Sequence, residues 1–164
     1  MIIRQIENRD LTQVAKWERE ISVISFGEEA ITDLDFHLHK LEKAMIRERS
    51  GMLVLDMNGF AAGWMWMEIR VNSVIQETYM RFKSFYVSKP FRGTASVDKL
   101  FEAGMSYAKQ QEAQRIVGHV HFDNQPMRAL YQRHGFMPTH LTMEYSDHGA
   151  VGENKRDELF DGKP

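Results

Sequence analysis

The sequence predicts an α+β domain, a mixed and mostly antiparallel central sheet flanked by helices in the order β-α-α-β-β-β-α-β-α-β. Three observations carry this. After Asp10, apolar residues recur every three or four positions through two helix-length segments. The pattern then changes to short apolar runs on either side of Asn58-Gly59, a strong hairpin signal because both residues accept positive φ. Finally, a strand, a loop with one glycine, a helix and another strand follow between Phe85 and Phe122.

Ile2 to Ile6 begins apolar and then alternates, as a first strand. Asn8 and Asp10 can cap the helix that follows, with Leu11, Val14, Ala15, Trp17, Ile21 and Ile24 on one face. Ser25-Phe26-Gly27 breaks it. A second helix starts at Thr32 or Asp33, carries Leu34, Leu38, Leu41, Met45 and Ile46 inward, and ends at Ser50-Gly51. Strands are expected over Met52–Met57, Phe60–Arg70 and Tyr79–Val87, a meander, with Gly63 marking a bulge or a close backbone approach. A third helix runs from about Ala95 to Gln111, and a fifth strand from Arg115 to Phe122 with His119 and His121 on one face. Asn124 and Pro126 open a short helix that Gly135 stops. Phe136 and Leu141 to Tyr145 are expected to supply the last strands. Residues 147–164 are charged and poor in apolar content, as in a mobile tail.

Composition narrows the function. The 164 residues suit one domain with a buried core, and 43% hydrophobic content excludes a wholly disordered chain. A net charge of −2 argues against a nucleic-acid binder driven by bulk electrostatics. No apolar run approaches the ~18 residues of a membrane span, and the N-terminus lacks the apolar region of a signal peptide. With no cysteine, there is no disulfide, no cysteine metal site and no thiol nucleophile, which fits a cytoplasmic protein.

The junction Phe85 to Val97 ends a strand and begins a helix whose first N–H groups lack intrahelical partners. Such an end suits a phosphate, and Arg92 adds a charge-assisted contact. Further on, Asn124, Tyr131 and Gly135-Phe136 stand in the spacing of a signature of the Gcn5-related N-acetyltransferase (GNAT) superfamily, which reads roughly Asn, six residues, Tyr, three residues, Gly-Phe. Val87, Pro90 and Arg92-Gly93 resemble the end of that family's fourth strand and its acetyl-CoA loop. The element order matches too, so the resemblance covers about residues 2 to 146, a single GNAT-like acetyltransferase domain over 1–146. The chain departs from the family loop at Ala95 and Val97, where small residues are usual. The β-branched Val97 is expected to narrow the approach to a pyrophosphate.

The resemblance implies roles. Main-chain N–H groups of Gly93, Thr94, Ala95, Ser96 and Val97, with Arg92, would hold the pyrophosphate of acetyl-CoA. The strand edge at Phe85, Tyr86 and Val87 would pair with the pantetheine arm, and the N–H near Val87 would polarise the thioester carbonyl. Asn124 would contact the pantetheine, and Tyr131 would protonate the departing thiolate. Many family members carry a Glu on the fourth strand as general base. Here that stretch has none, so Glu68 and His121 are the candidates, with His119 a further one. Phe26, Glu28, Glu29, Trp64 and Trp66 border the expected acceptor site, where carboxylates and aromatics suit a cationic amine.

The reading is an acetyl-CoA-dependent N-acetyltransferase acting directly on a primary amine, small molecule or protein, with no metal and no nucleic acid, and open to forming a homodimer. The alternative is an inactive module of the same fold that binds a CoA thioester or a protein partner.

Overall fold

A computed structural model describes residues 1–145. Five strands form one sheet in the order β1-β2-β3-β4-β5: β1 (Ile2–Gln5), β2 (Met52–Met57), β3 (Phe60–Asn72), β4 (Glu77–Val87) and β5 (Arg115–Gly118). The first four pair antiparallel and β5 joins β4 in parallel. Helices α1 (Leu11–Phe26) and α2 (Leu34–Glu48) cover one face; α3 (Ala95–Gln110) and α4 (Gln125–Arg133) cover the other.

Both faces are apolar because the strands alternate. On β3, Trp64 and Trp66 join Val14, Trp17, Leu41 and Val54 beneath α1 and α2, while Met65 and Met67 join Leu55, Phe82, Leu100 and Phe101 beneath α3 and α4. A strand covered on both faces reads as a continuous apolar run, and β3 does so from Ala62 to Met67. The close approach expected at Gly63 is there: a Cβ would meet the Leu55 side chain, the Leu100 side chain and the Tyr86 carbonyl at 3.2 Å each. The neighbouring Ala62 is the extra residue of a bulge against β2, and its carbonyl accepts from the N–H and the hydroxyl of Ser88.

Local signals place the helix and turn ends. Asn58 and Gly59 take φ of 56° and 91°, and Asp56 accepts the Gly59 N–H at 2.7 Å. Asp33 caps α2 through the Asp35 N–H, and Thr94 caps α3 through the Ser96 N–H. Gly27 and Gly135 turn the chain out of α1 and α4 at positive φ.

Two expectations are corrected. The fifth strand ends at Gly118 rather than Phe122, because its ladder to β4 stops there, so His119 and His121 lie in the following loop and share no strand face. The last strands do not form: residues 136–145 carry no strand, and Met137, Leu141 and Met143 are 81%, 83% and 85% exposed. The alternation that codes for a strand meets no ladder among the described residues. The tail expected over 147–164 lies outside them.

One polar cluster ties the start of the chain to the sheet. Arg4 on β1 donates twice to Asp10, at 2.7 and 2.9 Å, and once to Asp56 on β2, at 2.8 Å. Burial alone would raise the Asp10 carboxyl, but Arg4 and the Glu7 N–H outweigh it and hold it below the usual range. Arg4 and the Gly59 N–H do the same for Asp56. Removing the shared cation strands two carboxylates, both near 95% buried. Arg4→Met is expected to cost about 3 kcal/mol, read as a lower urea midpoint at unchanged slope.

Candidate functional site

The site is built where β4 leaves β5. Strand β4 pairs with β3 along its whole length but with β5 only from Tyr79 to Phe82. Opposite Trp66 and Met67 stand Ser84 and Phe82, so Lys83 is an extra residue, a bulge in β4. A bulge bends its strand and sharpens the local twist. It falls directly after the Phe82–Gly118 pair, the last rung between β4 and β5. Beyond it, residues 83–87 of β4 have no partner strand on that side among the described residues, and a wedge opens toward the loop 119–124.

Tyr131 on α4 stands at the wedge. Its ring packs against Phe82, Phe101 and Phe136, with centroids 5.8, 5.9 and 4.9 Å away. Burial pushes the phenol well above its ordinary range, so it stays protonated at any working pH. Its hydroxyl has no hydrogen-bond partner among the described residues. Asn124, at the head of α4, caps that helix by accepting the Met127 N–H at 3.2 Å, which leaves its amide N–H groups for other partners.

The loop from β4 to α3 closes the other end. Arg92 folds back: its Nε donates to the Val87 carbonyl at 2.8 Å, and its guanidinium lies 5.1 Å from the Tyr86 ring centroid. Gly93 takes φ +73° with open space around it, which turns the chain into the Thr94 cap. Ser96 and Val97 N–H groups are held by the Thr94 hydroxyl and carbonyl, while Gly93, Thr94 and Ala95 are exposed. Val97 packs against the core beneath α3, so its bulk goes inward and does not narrow the loop as expected. Asp98, in the first turn of α3, accepts from Arg133 at 2.7 Å and bonds His134 at 2.9 Å at the end of α4. Those bonds, Arg133 foremost, hold the Asp98 carboxyl low.

The acceptor-side candidates separate. Trp64 and Trp66 are buried in the core, their indole N–H groups donating to Glu18 and Glu48 at 2.9 Å. Phe26, Glu28 and Glu29 sit on the surface where α1 ends. Lys83 lies 3.6 Å over the Trp66 ring, and Tyr86 donates to Glu20 at 2.6 Å; sequence reasoning did not single out either contact. Nothing in the sequence signals the bulge at Lys83. Phe85, half-buried, faces the core of α3.

The two base candidates sit in different settings. Burial alone would raise the Glu68 carboxyl, but Lys83, Arg70 and Arg81 around it outweigh burial and hold it below the usual range. His121 is exposed, and its Nδ1 accepts the Asp123 N–H at 3.2 Å. Among the described residues no group of three His, Cys, Asp or Glu side chains is placed to hold a metal ion.

A sequence model of the "Acetyltransferase (GNAT) family" matches residues 11–136. No curated protein matches the chain. Among solved structures, a tetramutant of the BH1408 protein from Bacillus halodurans superposes with a TM-score of 0.76 at 21% identity, over 89% of this chain and 99% of its own. The aminoglycoside antibiotic 6'-N-acetyltransferase AAC(6')-IG from Acinetobacter haemolyticus gives 0.69 at 16%, over 92% and 100%. AAC(6')-Iy, in complex with the bisubstrate analogue CoA-S-monomethyl-acetylneamine, gives 0.71 at 17%, over 90% and 98%.

The Glu68 cluster yields a pH-dependent prediction. A carboxyl held low in the fold adds stability that is complete above its unfolded value and lost as pH falls through the folded one. Glu68→Gln is therefore expected to lower Tm by roughly 5 °C at pH 7. The gap to the parent protein should shrink as the pH falls below about 4. Paired thermal scans at pH 7 and pH 3 check both.

Proposed function

Because the chain belongs to the acetyltransferase (GNAT) family, we propose that it is an N-acetyltransferase that moves an acetyl group from acetyl-CoA directly to a primary amine. The observation that carries this is the wedge: a parted strand edge on β4, with a buried, protonated phenol beside it that has no hydrogen-bond partner among the described residues.

In this reading the pantetheine arm lies along residues 83–87 of β4 as an added strand, where main-chain groups lack a partner strand among the described residues. The pyrophosphate sits over the exposed turn of Arg92 to Ala95, at the positive end of α3. The N–H near Val87 polarises the thioester carbonyl. The amine attacks the carbonyl carbon, the C–S bond breaks, and Tyr131 gives its proton to the sulfur. A buried phenol holds its proton strongly, but the same burial makes the departing thiolate more basic, so the transfer remains matched. The ammonium loses its proton to solvent, since Glu68 is held by three cations and His121 Nδ1 is engaged. With no cysteine in the chain, no thiol acyl-enzyme intervenes. No helix among the described residues is long and apolar enough to cross a membrane, and the reading has the enzyme work in the cytoplasm.

Thermal unfolding with acetyl-CoA tests the donor site. At about 100 times its dissociation constant a ligand adds ~2.7 kcal/mol, an upward shift of roughly 5–10 °C here. Thiol release against a panel of amines, an aminoglycoside and a polyamine included, then finds the acceptor. Tyr131→Phe is expected to keep the acetyl-CoA shift and lower kcat about 100-fold. A full shift with no thiol release from any amine would favour the inactive binding module.

A further inference from the structure

We propose that Gly118 is a positioning residue for Tyr131: the missing Cβ at this point of β5 is the notch that lets the phenol lie at the opening between β4 and β5. Its bearing on catalysis rests on the reading of Tyr131 as the acid; the placement itself does not.

A Cβ built on Gly118 would stand 2.6 Å from Tyr131 Cε1 and closer still to Cζ and the hydroxyl oxygen. Real Cβ atoms do not approach other atoms so closely, so one of the two must move. The backbone gives no other reason for glycine. The glycines at 27, 59, 93 and 135 have positive φ and open space, whereas Gly118 has ordinary φ and a filled surrounding. Elsewhere, Gly104 makes room for the flexible Met65 and Gly51 for a main-chain carbonyl. Gly51 also has the Tyr107 ring near it, at 3.1 Å, but of the glycines described only Gly118 would set a Cβ within 3 Å of a side chain that can give a proton.

Its place in the ladder adds the second half of the argument. Gly118 pairs with Phe82 on the last rung before the strands part. The phenol that lies over it is therefore fixed beside the mouth of the wedge. The ring has nowhere inward to yield: Phe82, Phe101 and Phe136 pack around it, and Asp98 ties the end of α4 to α3. A methyl at residue 118 would push the phenol outward, toward water and off its line.

The test follows the Tyr131 phenol directly, by 13Cζ-tyrosine NMR over a pH titration. Tyr131→Phe identifies its resonance. In the parent protein that resonance is expected to stay in the protonated form above pH ~10, where a free tyrosine ionises. In Gly118→Ala it should shift at neutral pH, and its ionisation should fall toward that of a free tyrosine. An unchanged resonance and an unchanged titration overturn the proposal. Where Gly118→Ala is too unstable to titrate, the same change is made on Tyr131→Ala. A loss of roughly 5 °C in Tm in the parent that nearly vanishes on Tyr131→Ala supports the notch, and an equal loss in both overturns it. The acid role is read separately: full thiol release by Tyr131→Phe would remove that role and leave the NMR result standing.

Discussion

The extra residue at Lys83 sets the terms for everything around the wedge. Between Glu77 and Val87 strand β4 pairs with β3 through ten residues, yet with β5 through only four. A strand cannot carry one more residue than its partner and stay flat, so β4 bends where Lys83 is inserted. Past the bend the ladder to β5 ends, and β4 has no strand on that side among the described residues. Buried main-chain groups need partners. The opening is therefore tolerable only at the sheet's end, where solvent or a ligand can reach them.

The rest of the fold braces that opening from both faces. On one side Trp64 and Trp66 fill the space beneath α1 and α2, each indole N–H answered by a glutamate. Their size and satisfied polar atoms make this face stiff. On the other side the rings of Phe82, Phe101, Tyr131, His134 and Phe136 meet edge to face, stacked or, for Tyr131 and Phe136, tilted, with His134 and Phe101 only 4.3 Å apart. Offset aromatic packing fixes ring orientation as well as distance. A phenol held in this way keeps its line without a hydrogen bond of its own.

Much of this was legible in the residues. The hairpin at Asn58-Gly59, the caps at Asp33, Thr94 and Asn124, and the stop at Gly135 are local chemistry, and local chemistry survives into the fold. The register of Asn124, Tyr131 and Gly135-Phe136 pointed to the family before any coordinates. What failed to show was set by pairing at a distance. The end of β5 depends on where β4 bends, and the residues His119 to Phe122 look as strand-like as Arg115 to Gly118. The alternation of Leu141, Thr142, Met143 and Glu144 is a strand code, but a code without a ladder is only a pattern. The roles of Trp64 and Trp66 depended on depth. The sequence reads the same two residues as the border of a pocket for a cationic amine, and their burial places them in the core instead.

The bond from Asp98 to Arg133 and His134 gives the site a mechanical property. It fastens the first turn of α3 to the last turn of α4, and so joins the loop that begins at Arg92 to the helix that carries Tyr131. Two parts joined in this way are mechanically linked, and a free-energy coupling between them would act equally in both directions. A molecule bound at the head of α3 would press on a helix fastened to the one that aims Tyr131.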